Sequence, residues 1–247
     1  MIAPPEEVFA FLKRLHVECQ SFVLRLKFDK QHAPSRTAIA LYGSIMELCS
    51  GLICLVEQQL LPGAPVLLRA VLEAHVDLVN ILANPRYGYS LERSYIREWK
   101  KLLQEAQSGS NEYLDAISKQ GSLVGRIQEL QRKDSKLEAQ GHRVLLLEQK
   151  FRLAGMEKEY RSLYNSLCCA SHNNIRSLVD RHFEFSDEDF TVVFYKAYTP
   201  EDASVYVGTA TEVLLRATEA LHAKLESEDT GSISALRAEF NGLRGDA

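Results

Sequence analysis

Two long apolar runs separated by one short Pro-Gly turn constrain this chain more than any other feature. The first, Ala38 to Val56, carries Glu47 as its only charge; the second, Pro62 to Asn84, is interrupted by Arg69, Glu73, His75 and Asp77. Both keep helical spacing, and a turn this short folds them back as an antiparallel hairpin. With the turn centred near Leu61–Gly63, Arg69 falls level with Val56 or Glu57, so a Glu57–Arg69 ion pair across the hairpin is one structural expectation for Arg69. Winding the second run at about 100° per residue gathers Leu67, Leu68, Val71, Leu78, Val79 and Leu82 on one side. Arg69, Glu73, Asp77 and Asn80 then fall within about 80° of one another on the other side. That polar stripe is either a solvated surface or the wall of a site, and the choice decides the function.

The first run imitates a membrane span in length. Glu47 at its centre and the ionisable groups of the following helix favour a core helix instead. Its small residues, Ala40, Gly43, Ser44 and Gly51, allow another helix to approach closely. At 247 residues and 46% hydrophobic, the chain can bury a sizeable core. A net charge of −4 and a pI near 6.0 give no global positive field toward nucleic acid or anionic lipid. The five cysteines are odd in number and form no C-x-x-C pair. Reduced thiols and a cytoplasmic location are therefore expected, with no metal and no cofactor. Acids and prolines at the N-terminus, ahead of any apolar block, do not read as a signal peptide.

Elsewhere the helical pattern recurs. Pro4-Pro5-Glu6-Glu7 opens a first helix that runs to about Lys27, and Leu91 to Ala106 forms another. Glu112 to Gln140 is polar with sparse apolar positions and reads as an exposed helix. A further buried stripe runs from Tyr160 to about His182. Phe183 to Tyr198 is the least helical part, rich in aromatic and β-branched residues. Thr199-Pro200-Glu201-Asp202 is a strong helix start, with an N-cap, a proline and an acid at the third position. The expected fold is all-α: a multi-helix bundle around a central hairpin at about 36–59 and 64–83, with room for a short β segment near 189–198. One helical domain is expected over 1–225, followed by a linker and short helix over 226–247.

Phosphate loops, zinc spacings and serine-hydrolase elbows are absent. The remaining candidates for chemistry are Arg69 and Glu73 on the hairpin and the run Cys168-Cys169-Ala170-Ser171-His172-Asn173-Asn174-Ile175-Arg176. On a continuous helix His172 and Arg176 share a face, which would pair an acid–base group with an anion-holding one. The structural alternative is a rim histidine bonded to a neighbouring helix. A pocket lined by Tyr42, Tyr95, Tyr160 and Tyr164 is a further alternative.

Leu68-Arg69-Ala70-Val71-Leu72-Glu73, followed downstream by Tyr160 to Asn174, resembles the bacterial domain of unknown function 5677. Its marks are an L-R-x-x-x-E helix and a later Y…S/C-x-x-x-H helix, and the resemblance spans roughly Arg36 to Leu225. It implies an all-helical fold and singles out Arg69, Glu73, Tyr160, Cys168 and His172. Cys168 stands where many members have serine, which argues against an essential hydroxyl there. In plan such bundles are also similar to the HEPN nucleases, whose R-x(4–6)-H pair works without metal. Here that spacing occurs four times, at Arg25…His32, Arg69…His75, Arg176…His182 and Arg216…His222, so spacing alone selects none. His75 and His182 fall on apolar faces and read as core histidines.

The resemblance implies a metal-independent endoribonuclease, or a related toxin or anti-phage effector, acting on RNA through His172, Arg176, Arg69 and Glu73. The alternative is a non-catalytic, dimeric or partner-binding helical module. No membrane partner is expected in either case.

Overall fold

The computed structural model describes residues 3–119, 121–172 and 174–245. The chain divides into two compact units: residues up to Ala83 together with Phe151 onward, and Asn84–Lys150 between them.

In the larger unit, α1 (Pro5–Val23) starts with a proline and two acids in its first turn, as that stretch predicts. The hairpin is α2 (Ala33–Glu57) and α3 (Ala64–Ala83), joined by a 3₁₀ turn at Leu61–Gly63, and this pairing is the most extensive in the chain. Glycines set its closeness: a Cβ on Gly63 would lie 2.7 Å from Leu55 Cδ1, and one on Gly51 would lie 3.1 Å from Leu67 Cδ1. The helix α2 is long and apolar enough to cross a membrane. Here its Tyr42, Ile45, Cys49 and Leu52 are fully buried, against α1, α3 and the later α11 (Pro200–Lys224).

The expected cap of α11 is present: Asp202 N donates to Thr199 Oγ1 at 3.3 Å, and Thr199 N donates to Asp202 Oδ2 at 2.8 Å. The last helix, α12 (Thr230–Arg244), does not hang free. It buries Ile233, Leu236 and Phe240, and Phe240 stacks on Phe11 at 5.5 Å.

The smaller unit pairs α4 (Tyr87–Ser108) with α6 (Leu123–Ala139), with a short turn and α5 (Asp115–Ser118) between them. Leu103, Ala106 and Leu123 form one buried cluster in it, with Trp99, Leu114, Ile117, Ile127 and Leu130 packed around, and Tyr87, Ile96 and Leu137 are buried as well. Arg93, 2% exposed, donates from Nε to Asp134 Oδ1 at 2.7 Å and from Nη1 to the His142 carbonyl at 2.5 Å. The exposed protrusion expected over Glu112–Gln140 therefore packs on α4, and this buried ion pair helps make the segment a unit of its own.

The division between Lys150 and Phe151 falls within α7 (Leu147–Leu153), and α8 in the larger unit is a single turn (Glu157–Glu159). A π turn at Tyr160–Tyr164 leads into α9 (Asn165–Ser171), and α10 (Ile175–His182) follows a break. The antiparallel hairpin β1 (Phe183–Phe185) and β2 (Phe190–Val192) pairs Phe183 with Val192 and Phe185 with Phe190. The second strand falls within the β segment expected from composition, and its partner lies just before it.

Candidate functional site

The side chains that converge come from α3 and from the segment Tyr164–His172, which packs on it. On α3, Arg69 and Glu73 are one turn apart and pair at 3.1 Å. Opposite them, Tyr164 closes a π turn, Cys168 lies within α9, and His172 stands at the C-cap of that helix. The π turn carries Tyr164 into place, stacked on Tyr160 at 5.6 Å and against Phe151 at 5.3 Å. Single π turns of this kind often mark functional positions.

Arg69 is held from three sides. Its Nε donates to Glu73 Oε1 at 3.1 Å and to Tyr164 Oη at 2.9 Å, while Tyr164 Oη donates to the same Glu73 oxygen at 2.6 Å. Its Nη1 donates to His172 Nε2 at 2.8 Å. A guanidinium only donates, so this bond requires the lone pair on Nε2 and places the imidazole proton on Nδ1. The hydrogen bond to Tyr164, with that to Glu73 behind it, raises the Arg69 pKa and keeps the cation charged. Burial first, then the bond to Glu73, raises Tyr164 above the usual phenol range, so its hydroxyl stays protonated.

Tyr164 is 4% exposed, the Arg69 side chain is 31% exposed, and His172 lies at the surface. The cluster thus has a dry floor and a rim open to water, where the remaining N–H groups of Arg69 and the Nδ1–H of His172 can donate to an anion.

Of the residues singled out from sequence, Arg69, Glu73 and His172 meet here. Arg176 does not share a helix face with His172, which corrects the continuous helix assumed for them. The helix α9 ends at Ser171, His172 leaves the helical conformation, and Asn174 Oδ1 accepts from Arg176 N at 2.9 Å to cap α10. An asparagine that bonds its own downstream backbone stops one helix and starts the next. Asn173, within the same run, lies outside the described residues.

The Glu57–Arg69 pair is also replaced, since Glu57 binds Lys13 at 3.2 Å. None of the four R-x(4–6)-H pairs is a contact pair. Arg25 binds Asp229, Arg69 binds His172, Arg216 binds Glu212, and His182 donates to the Val193 carbonyl. His75 is in the core, as its apolar face implies, whereas His182 is only half-buried.

The sequence offers Tyr164 only as a position of a buried stripe or a pocket lining, not as a partner of Arg69 and Glu73. The spacing of four from Tyr164 to Cys168 and on to His172 was the available signal. Of the four tyrosines suggested as a pocket lining, Tyr42 is a core residue bonded to Thr218 at 2.8 Å, Tyr160 and Tyr164 stack on each other, and Tyr95 belongs to the smaller unit. Among the described residues, no three His, Cys, Asp or Glu side chains are grouped to hold a metal ion.

The model of DUF5677, described as a family of unknown function, matches residues 36–190 of the chain. No curated protein and no solved structure matches it.

Proposed function

The chain belongs to DUF5677, a family whose description assigns no reaction, and on the geometry of the Arg69 cluster we propose that it is a metal-independent endoribonuclease, HEPN-like in plan. The observation that carries this reading is the 2.8 Å contact between Arg69 Nη1 and His172 Nε2 at a solvent-open rim. Arg69 anchors the scissile phosphate, and His172 moves the proton. Glu73 and Tyr164 are positioning residues that fix the plane of the guanidinium.

When a phosphate oxygen takes the Nη1 hydrogen, the lone pair of His172 Nε2 is released to accept the proton of the ribose 2′-hydroxyl. The 2′-oxygen bonds to phosphorus as the P–O5′ bond breaks. The 5′-oxygen takes a proton from water, and His172 returns its own proton to solvent. The products are a 2′,3′-cyclic phosphate and a 5′-hydroxyl. Arg176, exposed at the start of α10, adds positive charge to the approach and takes no part in the bond changes. In the cell such an activity suits a cytoplasmic toxin or anti-phage effector.

The test is RNA incubated with the purified protein in EDTA. Wild type should yield cyclic-phosphate ends, and His172→Ala should be slower by roughly 10²–10⁴-fold and lose toxicity on expression. Intact RNA, or equal cleavage by the variant, refutes the proposal.

A second reading has one observation of its own. Phe185, Phe190, Phe194 and Tyr195 are all more than half exposed around the β-hairpin, which suits a protein-binding or dimer-forming module. In that case the Arg69 cluster only pins α9 to α3, and RNA stays intact.

A further inference from the structure

A second concavity in the larger unit, of about 600 Å³, is walled by α1, α3, the Met156–Leu163 segment, α11 and α12. Its α3 residues, Leu72 and His75, lie about 110° round the helix from Arg69 and Glu73, so it is separate from the cluster described above. The walls are largely apolar, with Val8, Leu72, Leu163, Val213 and Phe240 among them. The volume falls within the roughly 300–1,000 Å³ typical of small-molecule sites.

Two features mark it as more than a packing fault. His75 lines the cavity and is 2% exposed, yet its Nδ1 makes no hydrogen bond, and buried polar atoms are rarely left so. Gly208 lines it from the middle of α11, where a Cβ would meet nothing within 4 Å. A helix interior disfavours glycine, and here the missing side chain leaves room in the cavity.

The charged residues at the rim are already matched. Arg216 lies 2.5 Å from Glu212 and 3.7 Å from Glu159, and Arg244 lies 3.4 Å from Glu212. Two cations and two anions leave no net charge on the wall, so an ionic ligand would have to break a pair to gain one. We infer that this cavity binds an uncharged amphipathic small molecule, an aliphatic or aryl body with one hydroxyl or amide group that hydrogen-bonds the imidazole of His75. Burial holds His75 down at about 4, so near neutral pH the ring is uncharged. A hydroxyl, both donor and acceptor, complements either tautomer.

The probes are N-phenyl-1-naphthylamine, which fluoresces in apolar sites, with 1-octanol and octanoate as competitors on the full chain. Fluorescence should rise with protein, and 1-octanol should displace the dye at least tenfold more effectively than octanoate. Gly208→Leu should abolish uptake while keeping the helical circular dichroism. In wild type, the ¹⁵N resonances of the His75 ring should shift on adding 1-octanol, and this measurement decides the matter if Gly208→Leu does not fold. Absence of dye uptake, uptake unchanged in Gly208→Leu, octanoate matching 1-octanol, or unmoved His75 resonances would each overturn the inference.

Discussion

Arg69 and His172 stand 103 residues apart in the chain and are joined by a 2.8 Å hydrogen bond in which only the arginine can donate. The imidazole is therefore neutral at that nitrogen, and α9 is tied to α3 at the place where both remain open to water.

Tyr164→Phe removes the hydroxyl that donates to Glu73 and accepts from Arg69 at a nearly dry position. It should cost about 1–2 kcal/mol in urea unfolding. Glu73→Gln alone should cost less, because that side chain is 39% exposed and solvent screens it. The double variant should show coupling of about 0.5–1.5 kcal/mol. Additive losses would mean that the two groups do not act as a unit.

His172→Ala and Arg176→Ala should part company. The first removes the acceptor of Arg69 Nη1, so it should alter the Arg69 side-chain NMR resonances together with RNA cleavage. The second should leave the Arg69 resonances in place and lower cleavage by no more than a few fold, through charge alone. Equal effects of the two would restore Arg176 to the centre of the site.

His75 makes stability depend on pH. Its folded value of about 4 lies below the ordinary 6.5 because burial, with Arg216 next, opposes the proton, and Glu212 only partly offsets them. As pH falls below about 6.5 the unfolded chain takes up a proton that the folded chain refuses. This contribution is fully present above 6.5 and is lost by about 4, at roughly 1.4 kcal/mol per pH unit. His75→Leu should flatten the slope of unfolding free energy over that window, measured against wild type in the same buffers. An unchanged slope would show that the group is not held neutral.

Asp134→Ala should loosen the smaller unit by about 2 kcal/mol, since it takes the closest carboxylate from a guanidinium that is 2% exposed and leaves it only Glu138 at 3.1 Å and the His142 carbonyl. Amide exchange in α4 and α6 is the appropriate measurement, because it reads the opening of those two helices directly. Replacing both partners, Arg93→Met with Asp134→Leu, should recover most of the protection.

Much of the fold was legible locally. The bounds of α3, the capping box on Thr199 and the burial of His75 all follow from residues within a few turns of one another. The smaller unit was not legible, because Leu123–Ala139 is polar along most of its length and contributes only Leu123, Leu137 and the buried Asp134 partner of Arg93 to the interior. The site was half legible. Arg69, Glu73 and His172 stood out by type, whereas Tyr164 looked like packing and Arg176 looked like a partner only while the helix was taken to continue past Ser171.

The sequence by itself determined the hairpin and the faces it buries, because helical periodicity and turn length act over neighbours that the chain order already fixes. Tertiary packing decided which of several acceptors Arg69 would take. Glu57, Glu73, Tyr164 and His172 were all chemically eligible, and hydrogen bonds reach only about 3 Å, so the choice rested on how α9 docks against α3 and on where an asparagine cap ends one helix and begins another.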